Sequence, residues 1–284
     1  MSNRLGTGLV VVSALGFGTL GIFGKLAASA GLTIPTVLTF RFLLATILVW
    51  AWLGVRGNLR LLSGRDLLVG LGLGCFGYAT MSLLYFVGLE YLTAGLTGIV
   101  LYTYPVFVVA LAVFVLDEPV TRRTVAALVV ALAGVVFITG ADPTQVDPWG
   151  VLIVLLAAIV YATYIVVSRR ALSTVDSQTL TAHILPAATV SFLVFGTATG
   201  QLTVPTTATS WLIIVAIAIV ATVVPILAFF AGLSRIGASR TSIVSTIEPA
   251  GTLALGALVL GEPVSLVTLG GGALVVIGVL LVES

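Results

Sequence analysis

Apolar runs of about 20 residues follow one another along the whole chain, separated by short polar connectors, which is the spacing of helices crossing a hydrocarbon core about 30 Å thick. Ten runs are delimited, near 5–28, 33–55, 67–89, 94–116, 120–140, 149–167, 178–200, 210–233, 238–260 and 264–282. The pattern predicts an all-α integral membrane protein with ten transmembrane helices. The runs are also related to one another. Residues 86–135 return 144 positions later as 230–279 with no gap, aligning Gly88 with Gly232, Thr97 with Thr241, Pro105 with Pro249, Glu118 with Glu262 and Pro119 with Pro263. A fixed-period repeat of this kind organises the chain into two five-helix units, 1–140 and 141–284.

Five helices per unit is an odd number, so the two copies are expected to cross the membrane in opposite senses. The connector charges agree. Glu90 and Tyr91 in the first copy face Ser234 and Arg235 in the second, and Leu96 becomes Arg240. With ten helices both termini lie on one side, and if that side is the cytoplasm, ten of the twelve bases fall inside; only Lys25 and Arg41 do not. A cytoplasmic membrane with both termini in the cytoplasm is therefore the expected location. The sequence pattern is that of an inverted-topology repeat, whose substrate sites lie near the midplane where the repeats meet.

Composition sharpens this and excludes much else. Hydrophobic residues make up 60% of the chain and charged residues 8%, with a mean hydropathy of +1.27. The net charge of +2 is scattered over connectors and forms no basic stripe, so nucleic acid is not an expected partner. Cys75 is the sole cysteine and lies within an apolar run, where it is expected to pack. The first run exceeds the 7 to 15 apolar residues of a usual signal peptide. Its Phe17, Thr19 and Lys25 match Tyr161, Thr163 and Arg169 at the 144-residue offset, so it is expected as a retained helix.

Several motifs have bland explanations. Gly16, Gly18 and Gly21 satisfy GxGxxG, but no strand precedes them and Arg41 stands where a dinucleotide site needs an acid. Close helix approach accounts for them, and for Gly70 and Gly74. Glu118-Pro119 and Gly261-Glu262-Pro263 read as helix-terminus turns, with proline in a first turn and a carboxylate on the following helix dipole. Pro105 and Pro249 fall inside apolar runs, where each frees the carbonyl four residues back, at Leu101 and Ser245. Such a break is tolerated in lipid only against protein or a wet cavity.

The candidate chemistry is the set of ionisable groups far from either surface: Arg41, His183 and Glu248. An intramembrane charge costs several kcal/mol unless it is paired or faces a cavity. Arg41 and His183 correspond across the repeat if a two-residue shift is absorbed, and Glu248 corresponds to Tyr104, which gives the expected pairs Arg41 with Tyr104 and His183 with Glu248. Hydroxyls of Tyr78, Tyr85, Tyr102, Tyr104, Tyr161 and Tyr164 lie within runs and need partners or a cavity.

Taken together, YFVGLEYLTAG at 85–95 followed by Pro105 and DEPV at 117–120, with FFAGLSRIGASR at 229–240 followed by EPA at 248–250 and GEPV at 261–264, resemble the EamA-type members of the drug/metabolite transporter superfamily. The paired first helices at 13–25 and 157–170 extend the resemblance over the whole chain, with Phe17 and Tyr161 where the family usually has tryptophan. The resemblance implies ten helices in two inverted repeats around a central pocket, alternating access, and export or exchange of small metabolites such as amino acids.

The expected pocket is lined by Thr19, Arg41, Tyr85, Tyr104, Tyr161, His183, Phe229 and Glu248, with Arg41 or His183 binding an anionic group and Glu248 an ammonium group or a proton. The partners are a small-molecule substrate and the bilayer, in a monomer or homodimer, with no cofactor. An intramembrane enzyme would need a catalytic constellation, and the chain has one histidine, no HExxH and no GxSxG elbow. A non-transporting scaffold would leave the buried charges with no role beyond pairing. Lys25 follows no Walker A glycine pattern, so nucleotide hydrolysis by a P-loop is excluded as a driving force.

Overall fold

The computed structural model describes residues 2–88, 90–92, 94–139, 147–260 and 265–283. Gly261, Glu262, Pro263 and Asp142 lie outside them, as do the side chains of Lys25 and Leu96. Among the described residues every regular element is helical. Among these described residues six stretches are long and apolar enough to cross a membrane: Arg4–Ser29, Ile34–Val55, Gly64–Gly88, Pro148–Ala171, Ser177–Ala198 and Ala208–Ile236.

Several predicted runs are broken, and two of the breaks recur at matched places in the second repeat. The first run divides at Thr19 into α1 (Ser2–Gly18) and α2 (Leu20–Ser29), and α3 (Ile34–Val55) follows. The third passes from α4 (Gly64–Gly72) through a π-helical segment, Leu73–Ala79, into α5 (Thr80–Gly88). The fourth splits into α6 (Ala94–Leu101) and α7 (Tyr104–Leu116), so Pro105 sits in the first turn of α7, where a missing N–H costs nothing. α8 (Arg122–Thr139) closes the first repeat.

The second repeat has the last two breaks but not the first, since α9 (Pro148–Ala171) is continuous; α10 (Ser177–Ala198), α11 (Ala208–Ala218), a π-helical segment Ile219–Val223, α12 (Val224–Ile236), α13 (Ala238–Ser245), α14 (Ile247–Leu260) and α15 (Leu266–Glu283) follow. α13 ends at Ser245, four residues before Pro249, as the missing hydrogen bond requires. Pro186 inside α10 frees the carbonyl of Ala182, and the indole Nε1 of Trp50 donates to it at 2.7 Å.

The repeats are related by a swap of contacts. α3 packs on its counterpart α10, and α8 on α15, while α1 against α12 is mirrored by α9 against α5. Individual glycines show the same relation, since each marks a point where only a hydrogen fits. A Cβ at Gly6 would strike Ile236, and one at Gly150 would strike Leu92. Gly88 meets Val154 as Gly232 meets Val10. Gly134 faces the carbonyl of Gly271 at 2.6 Å from a built Cβ, and Gly278 faces that of Ala127 at 2.9 Å. The pairs interchange when 144 is added or subtracted, so the interface has an approximate two-fold.

The glycines of the GxGxxG pattern also serve packing: Gly16 lies against Pro225, and Gly18 against the backbone of α14. Cys75 sits within the first π-helical segment, its Sγ 3.5 Å from the carbonyl of Ala187.

Candidate functional site

Where the broken helices meet, a cavity of about 670 Å³ opens between the repeats, a volume suited to a small-molecule ligand. Its lining runs out to Ala28, Leu32 and Ile34 at the α2–α3 connector, and the exposure of Ala28 and Ile34 puts its mouth at that end of the bundle. Arg41 and Glu248 both face it, with Tyr78, Tyr85, Tyr102, Tyr104 and Tyr161 around them.

Arg41 is placed by three acceptors. Its Nε donates to the Thr222 hydroxyl, and one terminal nitrogen reaches the Ala221 carbonyl at 3.2 Å and the Tyr78 hydroxyl at 3.4 Å. The backbone explains why those acceptors are there. Pro225 lacks the N–H that would bond Ala221 four residues back, so that carbonyl is left for the guanidinium. The π-helical turn lets Thr222 hold its own hydroxyl on the Ile217 carbonyl at 3.0 Å while accepting from Arg41. Phe42 lies 4.9 Å below the guanidinium carbon. No carboxylate pairs with Arg41 among the described residues, and the guanidinium lines the cavity.

Glu248 lies in the first turn of α14, just after the break at Thr246, and lines the cavity together with Tyr102. Tyr102 occupies the matching break of the first repeat. From the cavity wall the rings form a continuous chain of contacts: Tyr104 to Tyr161 at 4.6 Å between centroids and tilted, Tyr161 to Tyr164 stacked at 6.0 Å, Tyr164 to Phe230 tilted at 6.0 Å and Phe230 to Phe229 edge-to-face at 5.7 Å.

Of the eight residues expected from sequence, the structure brings Arg41, Tyr85, Tyr104, Tyr161 and Glu248 to this cavity. Phe229 does not line it and is buried, edge-to-face against Phe230. Thr19 sits at the α1–α2 break with its hydroxyl on the Gly16 carbonyl at 2.6 Å, beside the lining residues Phe17 and Leu20.

His183 is placed elsewhere. Its Nδ1 faces the Thr179 carbonyl at 2.8 Å, its Nε2 accepts from the Leu62 backbone at 3.2 Å, and Trp50 packs on the ring. Both nitrogens are thus used, Nδ1 within α10 and Nε2 on the α3–α4 connector. The expected pairing of His183 with Glu248 does not form, and Arg41 pairs with Tyr78 and Thr222 rather than Tyr104, whose hydroxyl turns to the Ser242 carbonyl at 3.4 Å.

Thr222 escaped the sequence reading because the aligned block begins at Phe86. Extending the same offset backwards pairs Tyr78 with Thr222 and would have found it.

Glu118 also differs from expectation. α8 starts only at Arg122, so Glu118 and Pro119 stand in the connector, and the carboxylate caps the N-terminus of α13 in the other repeat.

The sequence profile of the EamA-like transporter family matches residues 4–140 and again 148–284. The uncharacterized transporter YcbK of Bacillus subtilis is 29% identical over 275 residues, 92% of this chain and 87% of that protein. An uncharacterized transporter of Archaeoglobus fulgidus is 26% identical over 278 residues, covering 98% and 96% of the two chains. A solved crystal structure shares the fold with a TM-score of 0.84 at 21% identity, over 98% of this chain and 96% of that one.

Proposed function

This chain belongs to the EamA-like transporter family, a multi-pass membrane transporter, and on that premise we propose that it is a secondary transporter working by alternating access through the inter-repeat cavity. α1–α2, α3, α4–α5, α6–α7 and α8, with their counterparts, make ten crossings in two inverted repeats. The basic connectors face the cytoplasm, both termini with them. The substrate is a small metabolite with an anionic and a cationic group, an amino acid or a related compound, carried outward or exchanged. Arg41 binds the anion, Glu248 the ammonium group or a proton, and Tyr85, Tyr104 and Tyr161 shape the walls.

One observation carries the reading. Phe17, Leu20, Tyr85 and Phe86 line the open cavity, and their counterparts 144 positions on are Tyr161, Tyr164, Phe229 and Phe230. Three of that second set are sealed below the cavity, Tyr164 and Phe229 at 4% exposure and Phe230 at 0%, and Tyr161 caps them. Three of the four positions are thus open in one repeat and packed in the other, while Tyr161 lines the cavity as Phe17 does. That asymmetry supports a cycle in which the repeats exchange conformations and the opening changes side.

The test is reconstitution. Ligands are first sought by thermal shift across a metabolite panel at two pH values, and flux of each hit is then measured in proteoliposomes. Arg41→Gln and Glu248→Gln are expected to abolish saturable flux while the proteins remain monodisperse. Full flux in both variants would remove these residues from the site.

A further inference from the structure

We propose that Glu118 is the latch that holds the end of the pathway opposite the cavity mouth shut, by capping a helix of the other repeat. This goes beyond the substrate site and rests on the reading that the cavity changes sides.

The geometry begins with an exposed backbone need. α13 starts immediately after Gly237, whose φ of +82° and ψ of 172° are accessible to glycine and not to other residues. A residue without a side chain cannot cap, and no side chain of α13's own N-cap position satisfies its first amides. Glu118 does so from across the interface. Its Oε1 accepts from the Ala238 N–H at 2.7 Å and its Oε2 from the Ser239 N–H at 3.0 Å. Both oxygens of one carboxylate meet the positive end of a helix, an arrangement stronger than a neutral hydrogen bond. A Cβ at residue 237 would lie 2.7 Å from Oε1, so the glycine also makes room for the approach.

The latch lies at the correct end. The cavity mouth is at the α2–α3 connector, while Glu118 follows α7, at the end that carries the α9–α10 and α12–α13 connectors. Two arginines at the end of α9 reinforce the same closure: Arg170 donates to the Val115 carbonyl of α7 at 3.1 Å, and Arg169 to the Ser234 carbonyl of α12 at 3.0 Å. Between this end and Glu248 runs α13, a helix bearing Ser239, Thr241, Ser242 and Ser245, all buried. Hydroxyl-rich residues buried in a lipid-spanning segment are the lining a wet path needs once it opens.

Glu118 therefore fixes α13 against α7, and with it Tyr104 of α7, whose hydroxyl reaches the Ser242 carbonyl of α13 at 3.4 Å. Releasing the carboxylate frees α13 to move and exposes its hydroxyl face to the cytoplasmic side.

Two reporters test this in a Cys75→Ser background, in sealed vesicles of defined orientation. Ser82→Cys reports the cavity from the mouth side, and Ser242→Cys reports the closed path from the opposite side. Modification by a membrane-impermeant maleimide is timed with and without Glu118→Ala. The expected result is a rise in the Ser242→Cys rate of roughly tenfold, the shift that follows loss of a charge-assisted bond, with a fall at Ser82→Cys. Glu118→Gln, which keeps one acceptor, is expected to lie between and serves if the alanine variant does not fold. Unchanged rates in Glu118→Gln and Glu118→Ala would overturn the latch. A rise at Ser242→Cys without a fall at Ser82→Cys would overturn it too, marking local fraying instead of a change of side. Neither result bears on ligand binding at Arg41, which thermal shift reads separately.

Discussion

Tyr78 and Thr222 stand 144 positions apart, each within the π-helical segment of its own repeat, and both hold the guanidinium of Arg41. One residue of the first repeat is thus fixed by equivalent points of both. A π-turn displaces one residue from the helical register and leaves carbonyls unpaired. Here it serves to present a hydroxyl sideways into the interface.

Removing that hydroxyl leaves Arg41 Nε buried without an acceptor. Thr222→Val is expected to cost about 1–3 kcal/mol and to weaken binding of carboxylate-bearing ligands, while Thr222→Ser retains both properties. Pro225→Ala restores an N–H that competes for the Ala221 carbonyl, and is expected to loosen Arg41 in the same direction. Melting temperature and ligand-induced thermal shift, measured on all three variants, separate stability from affinity.

His183 is fully engaged at the α3–α4 connector and away from the cavity. His183→Ala is expected to destabilise by about 1–3 kcal/mol, since the Leu62 amide and the Thr179 carbonyl lose a partner. Ligand-induced thermal shifts are expected to persist unchanged. A loss of ligand response with stability intact would instead place His183 in the binding path.

Gly134 and Gly278 let α8 and α15 approach to backbone contact. Valine at either position has no space, and because the sites are equivalent under the approximate two-fold, Gly134→Val and Gly278→Val are expected to lower the melting temperature by similar amounts. Overpacking of this kind costs about 1–3 kcal/mol. Melting curves in detergent, with size-exclusion profiles, check both the direction and the equality.

Asp176 caps α10, accepting from the Thr179 N–H at 2.9 Å. Partial burial opposes its charge, yet the Thr179 backbone N–H outweighs it with other polar contacts and holds the carboxyl below its ordinary range. A carboxyl lowered on folding stabilises above the unfolded value, near pH 4, and that contribution is lost as pH falls through the folded value. Asp176→Ala is expected to cost about 1 kcal/mol at neutral pH. Asp176→Asn keeps the cap and loses this part of the acid sensitivity, which melting temperatures from pH 3 to pH 7 will show.

The sequence by itself determined the helical membrane class, the two repeats and their offset, because twenty-residue apolar runs and a gapless 144-residue periodicity are one-dimensional properties. It also located Arg41 and Glu248, since a charge deep in an apolar run is conspicuous wherever the run packs. Helix breaks were legible before Pro249, where a missing N–H acts locally.

Only the tertiary structure decided which polar groups meet. His183 and Arg41 look equivalent along the chain, but one faces a connector and the other the cavity, because helix rotation and the packing of Trp50 are set by neighbours far away in sequence. Glu118 reads as the cap of the helix that follows it, and it caps α13 from another repeat instead. That choice depends on Gly237 having no side chain of its own to offer, and on a two-fold relation that brings residues 120 positions apart within 2.7 Å.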